Sequence, residues 1–196
     1  EDKVYIKLFR EAYGEKPTAN TLFKAIASFE RTLVSGNSKF DRYFYQKDTS
    51  AFNESEKRGY RIFFDDNYKM HCATCHTGVN LTNNSFQNNG LYLEYPDQGR
   101  YKVSSRNDDK GKFKVPTLRN VAVTAPYMHD GSLQTLEDVM EHYNSGGKGR
   151  WHPNRSPHVH VHRGLELTET EKSDLISFLK TLTDEEFLSN PDFHAD

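Results

Sequence analysis

Both cysteines of this 196-residue chain lie in one short segment, Cys72-Ala73-Thr74-Cys75-His76. On a helical turn, residues three and four positions apart share a face, so the two thiols and the imidazole would point the same way. Such a group could form two thioether bonds to one porphyrin while the imidazole binds its iron, which is how a c-type haem is attached. The segment therefore predicts one haem c per chain, tethered through Cys72 and Cys75, with His76 as an axial ligand of the iron.

Two other uses of closely spaced cysteines have less support in the sequence. A structural zinc ion would need two more close-set ligands in a finger-like spacing, and these are missing. A thioredoxin-type redox motif would need a βαβ setting, and the hydrophobic pattern shows none. Haem attachment is the favoured chemistry.

The composition limits the possible partners and supports a haem-centred core. Hydrophobic residues make up 35% and charged residues 28%, and the mean hydropathy is −0.87. Thirteen Phe and eleven Tyr supply large apolar areas, to which a porphyrin would add. A net charge of −2 with both signs interspersed gives no indication of nucleic-acid binding, and no apolar run is long enough to span a membrane. Because thioether attachment takes place outside the bacterial cytoplasm, we expect an exported, periplasmic protein, processed or truncated ahead of Glu1.

The hydrophobic pattern predicts the elements that position the haem segment. Apolar residues recur at three- and four-residue steps, and capping pairs mark the helix starts at Asn53, Thr135 and Thr168. The helix after Thr168 is expected to bury Leu175, Ile176, Phe178, Leu179 and Leu182. Residues 77–112 are rich in Asn, Asp, Gly and Ser, which predicts loops and one small hairpin, 91–95 with 100–104, around a turn at Asp97-Gln98-Gly99. The expected fold is mainly α, with long loops around a cofactor and aromatic side chains packed in the core.

A longer pattern surrounds the haem segment and resembles a known family. Residues 113–131 read FKVPTLRNVAVTAPYMHDG, and this block resembles the strongest signature of the bacterial di-haem cytochrome c peroxidase/MauG family. Residues 27–33, 37–43, 135–139, 142–144 and 167–182 also match, so that the resemblance covers nearly the whole chain. It implies a helical connector over 1–50 and a cytochrome-c-like haem domain over 51–196.

Family members have two haem domains, whereas this chain has a single CxxCH segment. The resemblance implies the C-terminal, electron-accepting half of a periplasmic peroxidase. That half would take electrons from a small donor protein such as a cytochrome and pass them to a second haem domain of the same protein, where hydrogen peroxide is reduced. No catalytic residue is expected in this half. The alternatives are a MauG-like haem oxidase acting on a protein substrate and a free-standing mono-haem electron shuttle.

The second axial ligand of the iron is not decided by spacing alone. In the family, this ligand lies on the helix after the PY-x-H block, at a position that corresponds here to Tyr143, which is a tyrosine in the MauG-like branch. We therefore predict Tyr143, followed by Met128 and then Met140. The other donors that the sequence offers are Met70, Tyr127, His129 and His142.

Other residues could bind ions or the charged groups of the haem. The resemblance implies calcium bound by the backbone carbonyls of Thr124 and Pro126, which is suitable chemistry for a hard cation. Arg119 and Arg100 could pair with haem propionates, because guanidinium groups match carboxylates.

A histidine-rich segment is a further candidate metal site. His158, His160 and His162 alternate with valine, so a strand would present all three on one face, with His152 nearby. Imidazoles grouped in this way could bind a transition metal, although an exposed histidine-rich loop is the commoner outcome.

Overall fold

The protein is described from a computed structural model, which covers residues 2–64, 72–149, 151–155 and 164–193. Within these ranges the chain is mainly α-helical, as the sequence predicts. The helices are α1 (Lys3–Tyr13), α2 (Ala19–Glu30), α3 (Lys39–Phe44), α4 (Glu54–Phe64), α5 (Cys72–Cys75), α6 (Tyr101–Ser104), α7 (Leu136–Ser145), α8 (Glu169–Lys180) and α9 (Glu185–Leu188). Short 3-10 turns cover Asn107–Asp109, Val121–Val123 and Pro191–Phe193. None of the helices in the described ranges combines the length and the apolar character needed to cross a bilayer.

The predicted helix starts are confirmed by their hydrogen bonds. At the start of α7, the backbone N–H of Asp138 donates to Thr135 Oγ1 at 3.0 Å, and the Thr135 N–H donates back to Asp138 Oδ2 at 3.0 Å. Equivalent reciprocal bonds are present at the starts of α4 and α8. These boxes satisfy N–H groups that have no partner within the helix.

The chain forms two compact units, Glu1–Gly36 with Glu186–Asp196, and Asn37–Glu185. In the first unit, Phe9 is the only buried apolar side chain among the described residues. Tyr5, Phe23 and Phe29 are exposed, so the expectation that aromatic residues pack in the core is wrong for these three. A helical period fixes which side chains share a face, but it does not determine whether another element covers that face. The predicted boundary between residues 50 and 51 stays a prediction.

The second unit has its apolar core where α4 packs on α8. Phe178 is fully buried, with Phe63 at 5.1 Å and Phe64 at 5.9 Å between ring centroids. The helices approach closely at Gly59, where a Cβ atom would lie only 2.0 Å from the Asp174 carbonyl oxygen. The predicted buried face of α8 and the residues after it is confirmed for Leu175, Ile176, Phe178, Leu179 and Leu182.

The predicted hairpin of 91–95 with 100–104 is wrong, because residues 101–104 form α6. The described sheet consists of β1 (Phe86–Gln87) and β2 (Phe113–Lys114), which are antiparallel, with Phe86 opposite Lys114. The turn at Gly99 does form, but its neighbours bond to a later segment. Arg100 N–H donates to the Lys112 carbonyl at 2.9 Å, and Gly111 N–H donates to that of Gln98 at 3.1 Å. A turn signal thus identified the bend and not the partner strand.

Candidate haem site

The two cysteines lie on the single helical turn α5, which continues into the histidine, since His76 N–H donates to the Cys72 carbonyl at 2.9 Å. Both cysteines are free and half-buried. Burial raises the pKa of the Cys72 thiol to about 12 and also raises that of Cys75. Both groups are therefore thiols at neutral pH. This argues against a redox motif, which depends on a thiolate of lowered pKa.

The His76 imidazole is oriented through one ring nitrogen. Its Nδ1 lies 3.1 Å from the Leu81 carbonyl oxygen, and because that oxygen can only accept, Nδ1 carries the proton. Burial lowers the pKa of His76, an effect that the carbonyls of Leu81 and Pro116 partly offset. The ring is thus a neutral imidazole with Nε2 left as the nitrogen that could bind iron, the usual arrangement of a metal-binding histidine.

The segment after the CxxCH turn is held by the block that carries the family resemblance. Thr82 Oγ1 donates to the Val115 carbonyl at 2.7 Å, and Thr117 Oγ1 donates to the Asn80 carbonyl at 2.6 Å. The turn itself is closed by Asn83, whose N–H donates to the Cys75 carbonyl at 2.8 Å. These bonds explain why the two segments belong together although they lie more than thirty positions apart in the sequence.

Tyr143 is placed beside the cysteines by α7. Burial raises the pKa of its phenol to about 12, and the group interacts electrostatically with Cys72 and Cys75. The nearby side chain of Asn89 partly offsets this rise in the pKa of the phenol. The structure therefore brings the predicted second ligand close to the predicted attachment residues, and the role of Tyr143 as a ligand stays a prediction.

The two methionine alternatives have different surroundings. Met128 has a positive φ of 74°, and its Sδ accepts a hydrogen bond from Asn89 Nδ2 at 3.2 Å. Met140 is buried in the apolar core of the second unit. The backbone carbonyl of Asn89 accepts a hydrogen bond from His142 Nε2 at 3.2 Å. One asparagine therefore contacts Met128 and His142 and lies near Tyr143. Sequence reasoning missed Asn89, because an Asn-Asn-Gly stretch indicates only a loop.

Arg119 already has a carboxylate partner within the protein. Its Nη1 and Nη2 donate to the two oxygens of Asp41 at 2.9 and 3.0 Å, and its Nε donates to the Val79 carbonyl at 2.9 Å. The side chains of the pair are 8% and 4% exposed. Burial alone would raise the pKa of Asp41, but hydrogen bonds from Arg119 and Ser38 outweigh it and hold the pKa below its ordinary value. The propionate contact predicted for Arg119 stays a prediction.

The remaining predicted contact residues lie at the surface. Arg100 donates through Nε to Asp109 at 3.3 Å and is 42% exposed in its side chain. Thr124 and Pro126 are exposed, and Thr124 Oγ1 donates to a carbonyl within its own turn. His129 is exposed too and stacks on a phenylalanine ring. The calcium proposed for the Thr124 and Pro126 carbonyls stays a prediction.

A second residue that sequence reasoning missed is Arg155. It is 8% exposed, and its Nε is the buried side-chain polar atom without a hydrogen-bond partner in the described ranges. Arg155 also interacts electrostatically with Tyr143. An orphaned donor beside this cluster is compatible with a bound group that carries acceptor oxygens.

The histidine-rich candidate metal site lies outside the described residues, since it comprises positions 158, 160 and 162. His152 is described, and its Nδ1 accepts from the Asn154 N–H at 3.1 Å. In the described part of the chain, no group of three or more His, Cys, Asp or Glu residues could hold a metal ion.

Comparison with known proteins identifies the family. The family model described as di-haem cytochrome c peroxidase matches residues 1–50 and 53–147. The chain belongs to this di-haem peroxidase family. Membership implies haem c as the cofactor, and the free thiols of Cys72 and Cys75, with the available Nε2 of His76, fit such a group.

Similar proteins include a MauG protein and a cytochrome c551 peroxidase. The chain is 39% identical over 181 residues to methylamine utilization protein MauG of Methylorubrum extorquens. The aligned region covers 91% of this chain and 49% of that protein. It is 36% identical over 194 residues to cytochrome c551 peroxidase of Nitrosomonas europaea, and this alignment covers 96% of the chain and 51% of that protein. The chain therefore spans about half the length of these relatives.

A solved structure has a similar fold. It is a MauG-like protein associated with microbial copper homeostasis, with a TM-score of 0.86 and 35% identity over 98% of this chain and 62% of that one. The mainly helical fold with one small sheet is thus the fold of a MauG-like protein.

Proposed function

We propose that this chain is the C-terminal haem c domain of a periplasmic di-haem peroxidase and transfers electrons to a second haem in another part of the same protein. Hydrogen peroxide would be reduced at that second haem. The observation that carries the proposal is the α5 turn, which holds two neutral thiols and an oriented imidazole next to the Tyr143 phenol. A cytochrome-c-like fold around one covalent haem and a small electron-donor protein are parts of the same proposal.

Each residue of the site would have a defined role. Cys72 and Cys75 would tether the porphyrin, and His76 would bind iron through Nε2 while its Nδ1–H to Leu81 keeps the ring orientation. Tyr143 would be the second axial ligand. Haem supplies reversible one-electron chemistry when bound, and a buried surround limits the reorganisation of solvent around it.

The haem-loaded chain is expected to be reduced and reoxidised reversibly and to turn over no hydrogen peroxide. If His76 and Tyr143 both bound the iron, they would leave no coordination position open for peroxide. The measurement is peroxide consumption with a reduced donor, by this chain and by the longer protein at equal haem concentration. Sustained turnover by this chain alone would show that the active haem lies here.

Substitution of Tyr143 by phenylalanine tests the second ligand. If the phenol binds iron, its loss leaves one axial position without a protein ligand. The ferric haem is then expected to change from low to high spin in electron paramagnetic resonance. The wild type is also expected to lack the near-infrared band of a sulfur-to-iron bond.

Tyr127→Phe is the matched control, because that phenol is also partly buried but donates to the Val121 carbonyl at 3.0 Å. We expect it to leave the spin state unchanged. A sulfur-to-iron band in the wild type that survives Tyr143→Phe would instead assign the ligand to a methionine, with Met128 the first candidate.

A MauG-like oxidase that modifies a protein substrate is a second candidate. The observation that favours it is the position of Tyr143 beside the cysteines, because an anionic phenolate ligand stabilises ferric and higher oxidation states. A protein substrate oxidised by the full-length protein and peroxide, with no turnover of a cytochrome donor, would support the oxidase over the peroxidase.

A further inference from the structure

Arg155 is a buried cation without an anionic partner in the described part of the chain. It is 8% exposed, and the side-chain hydrogen bond it makes within the described residues runs from Nη1 to the Gly146 carbonyl at 2.9 Å. The adjacent Nε has no acceptor. No carboxylate lies within ion-pair distance of it among the described residues, whereas Arg119, whose side chain is equally buried, is paired with Asp41.

Such an isolated charge is costly to bury. Burial lowers the pKa of Arg155, but a guanidinium group stays protonated at any ordinary pH. A buried cation normally has a counter-charge, and a buried N–H normally has an acceptor. Among the described residues Arg155 has no counter-charge and its Nε has no acceptor, so we infer that a group outside the polypeptide supplies them.

The position of Arg155 relates it to the proposed haem. It interacts electrostatically with Tyr95 and Tyr143, and Tyr143 in turn interacts with both cysteines of the CxxCH turn. Space for the guanidinium depends on Gly90, where a Cβ atom would lie 3.0 Å from Arg155 Cζ. Gly90 also has a φ of +75°, a conformation that glycine adopts without strain.

The unpaired Nε lies on the edge of the guanidinium that can form a carboxylate fork. With Nη1 on Gly146, the remaining edge of the guanidinium presents Nε and Nη2 side by side. The same chain shows what this edge binds, since Arg58 donates through Nε and Nη2 to the two oxygens of Asp174 at 2.7 and 2.8 Å. A bidentate pair of this kind is a strong, charge-assisted interaction.

We propose that Arg155 binds a haem propionate through Nε and Nη2. The proposal rests on the haem attachment proposed above, and it gives to Arg155 the contact that sequence reasoning expected of Arg119 and Arg100. Arg155 is then a positioning residue that fixes the porphyrin beside Tyr143 and places one positive charge near the iron.

The test compares Arg155→Gln, Arg155→Lys and the surface control Arg106→Gln, at an exposed arginine, in the haem-loaded protein. Two readouts are used: the propionate bending mode in resonance Raman spectra, and the reduction potential. Arg155→Gln is expected to lower the frequency of the bending mode, because the hydrogen bond is lost. It should also lower the potential, because removal of a nearby cation disfavours the ferrous state. Arg155→Lys keeps the charge but not the fork, so its Raman mode shifts while its potential stays near that of the wild type.

The outcomes separate this proposal from the one on which it depends. Wild-type protein without covalent haem would overturn the proposed function itself. A haem-loaded Arg155→Gln protein with an unchanged bending mode, or with a shift equalled by Arg106→Gln, would overturn the propionate contact. If the glutamine variant does not fold, the propionate contact is tested with the lysine variant and with an experimental structure of the haem-loaded wild type. Arg155 Nε beyond hydrogen-bond distance of both propionates would then refute the proposal.

Discussion

Replacement of both Cys72 and Cys75 by alanine is expected to remove all covalently bound haem from this protein. Each thiol can form one thioether bond, and these are the only cysteines of the chain, so no other sulfur can substitute. The wild type should carry one haem that resists extraction with acidified acetone. The double variant should carry none, as measured by intact mass and by the pyridine haemochrome spectrum. Both proteins need a host that matures c-type cytochromes.

The single variants and a neighbour provide the controls. Cys72→Ala and Cys75→Ala each leave one thioether possible, so we expect reduced yields of haem protein with a haemochrome band displaced from that of the wild type. Thr74→Ala lies between the cysteines and should keep a full haem content. Colourless wild-type protein with both sulfurs unmodified, made in a competent host, would contradict the haem site.

Substitution of Asp41 by asparagine is expected to cost about 3–5 kcal/mol of unfolding free energy at neutral pH, because it leaves the buried Arg119 guanidinium without its counter-charge. The change also weakens the start of α3, where Ser38 N–H and Oγ donate to Asp41 Oδ2 at 2.9 and 2.7 Å. Denaturant unfolding followed by circular dichroism would measure the loss. Glu11→Gln is the control, since it removes a charge from the exposed pair of Lys7 and Glu11 and should change stability by less than about 0.5 kcal/mol.

The pH dependence has a definite sign. The pKa of Asp41 is lower in the folded protein than its ordinary value, so the folded state favours the carboxylate. Its contribution is therefore fully present above the ordinary aspartate pKa of about 4 and is lost as the pH falls through the lowered folded value. The difference between wild type and Asp41→Asn should shrink over that acid range. If the unfolding free energies of wild type and Asp41→Asn differ by less than about 1 kcal/mol at neutral pH, the pair of Asp41 and Arg119 contributes little to stability.

Local signals in the sequence were sufficient for some features of the fold. The caps at Thr135 and Thr168 depend on residues three positions apart, and the α8 face depends on a repeat within one helix, so both followed from the sequence. The pairing of residues 91–95 could not be predicted in this way. Gly99 and Arg100 pair with Lys112, because strand pairing depends on which segment the rest of the fold brings near.

The chemistry of the site divides in the same way. The sequence by itself determined the CxxCH group, because its residues share one helical turn and need no other element to be brought together. Only the tertiary structure decided that Arg119 pairs with Asp41, that Asn89 contacts Met128 and lies near Tyr143, and that Arg155 is buried without an anion among the described residues. These contacts join residues far apart in the chain, and charge type alone does not say which of several arginines will meet which carboxylate. Which arginine pairs with which carboxylate depends on burial and packing, which exist only once the chain has folded.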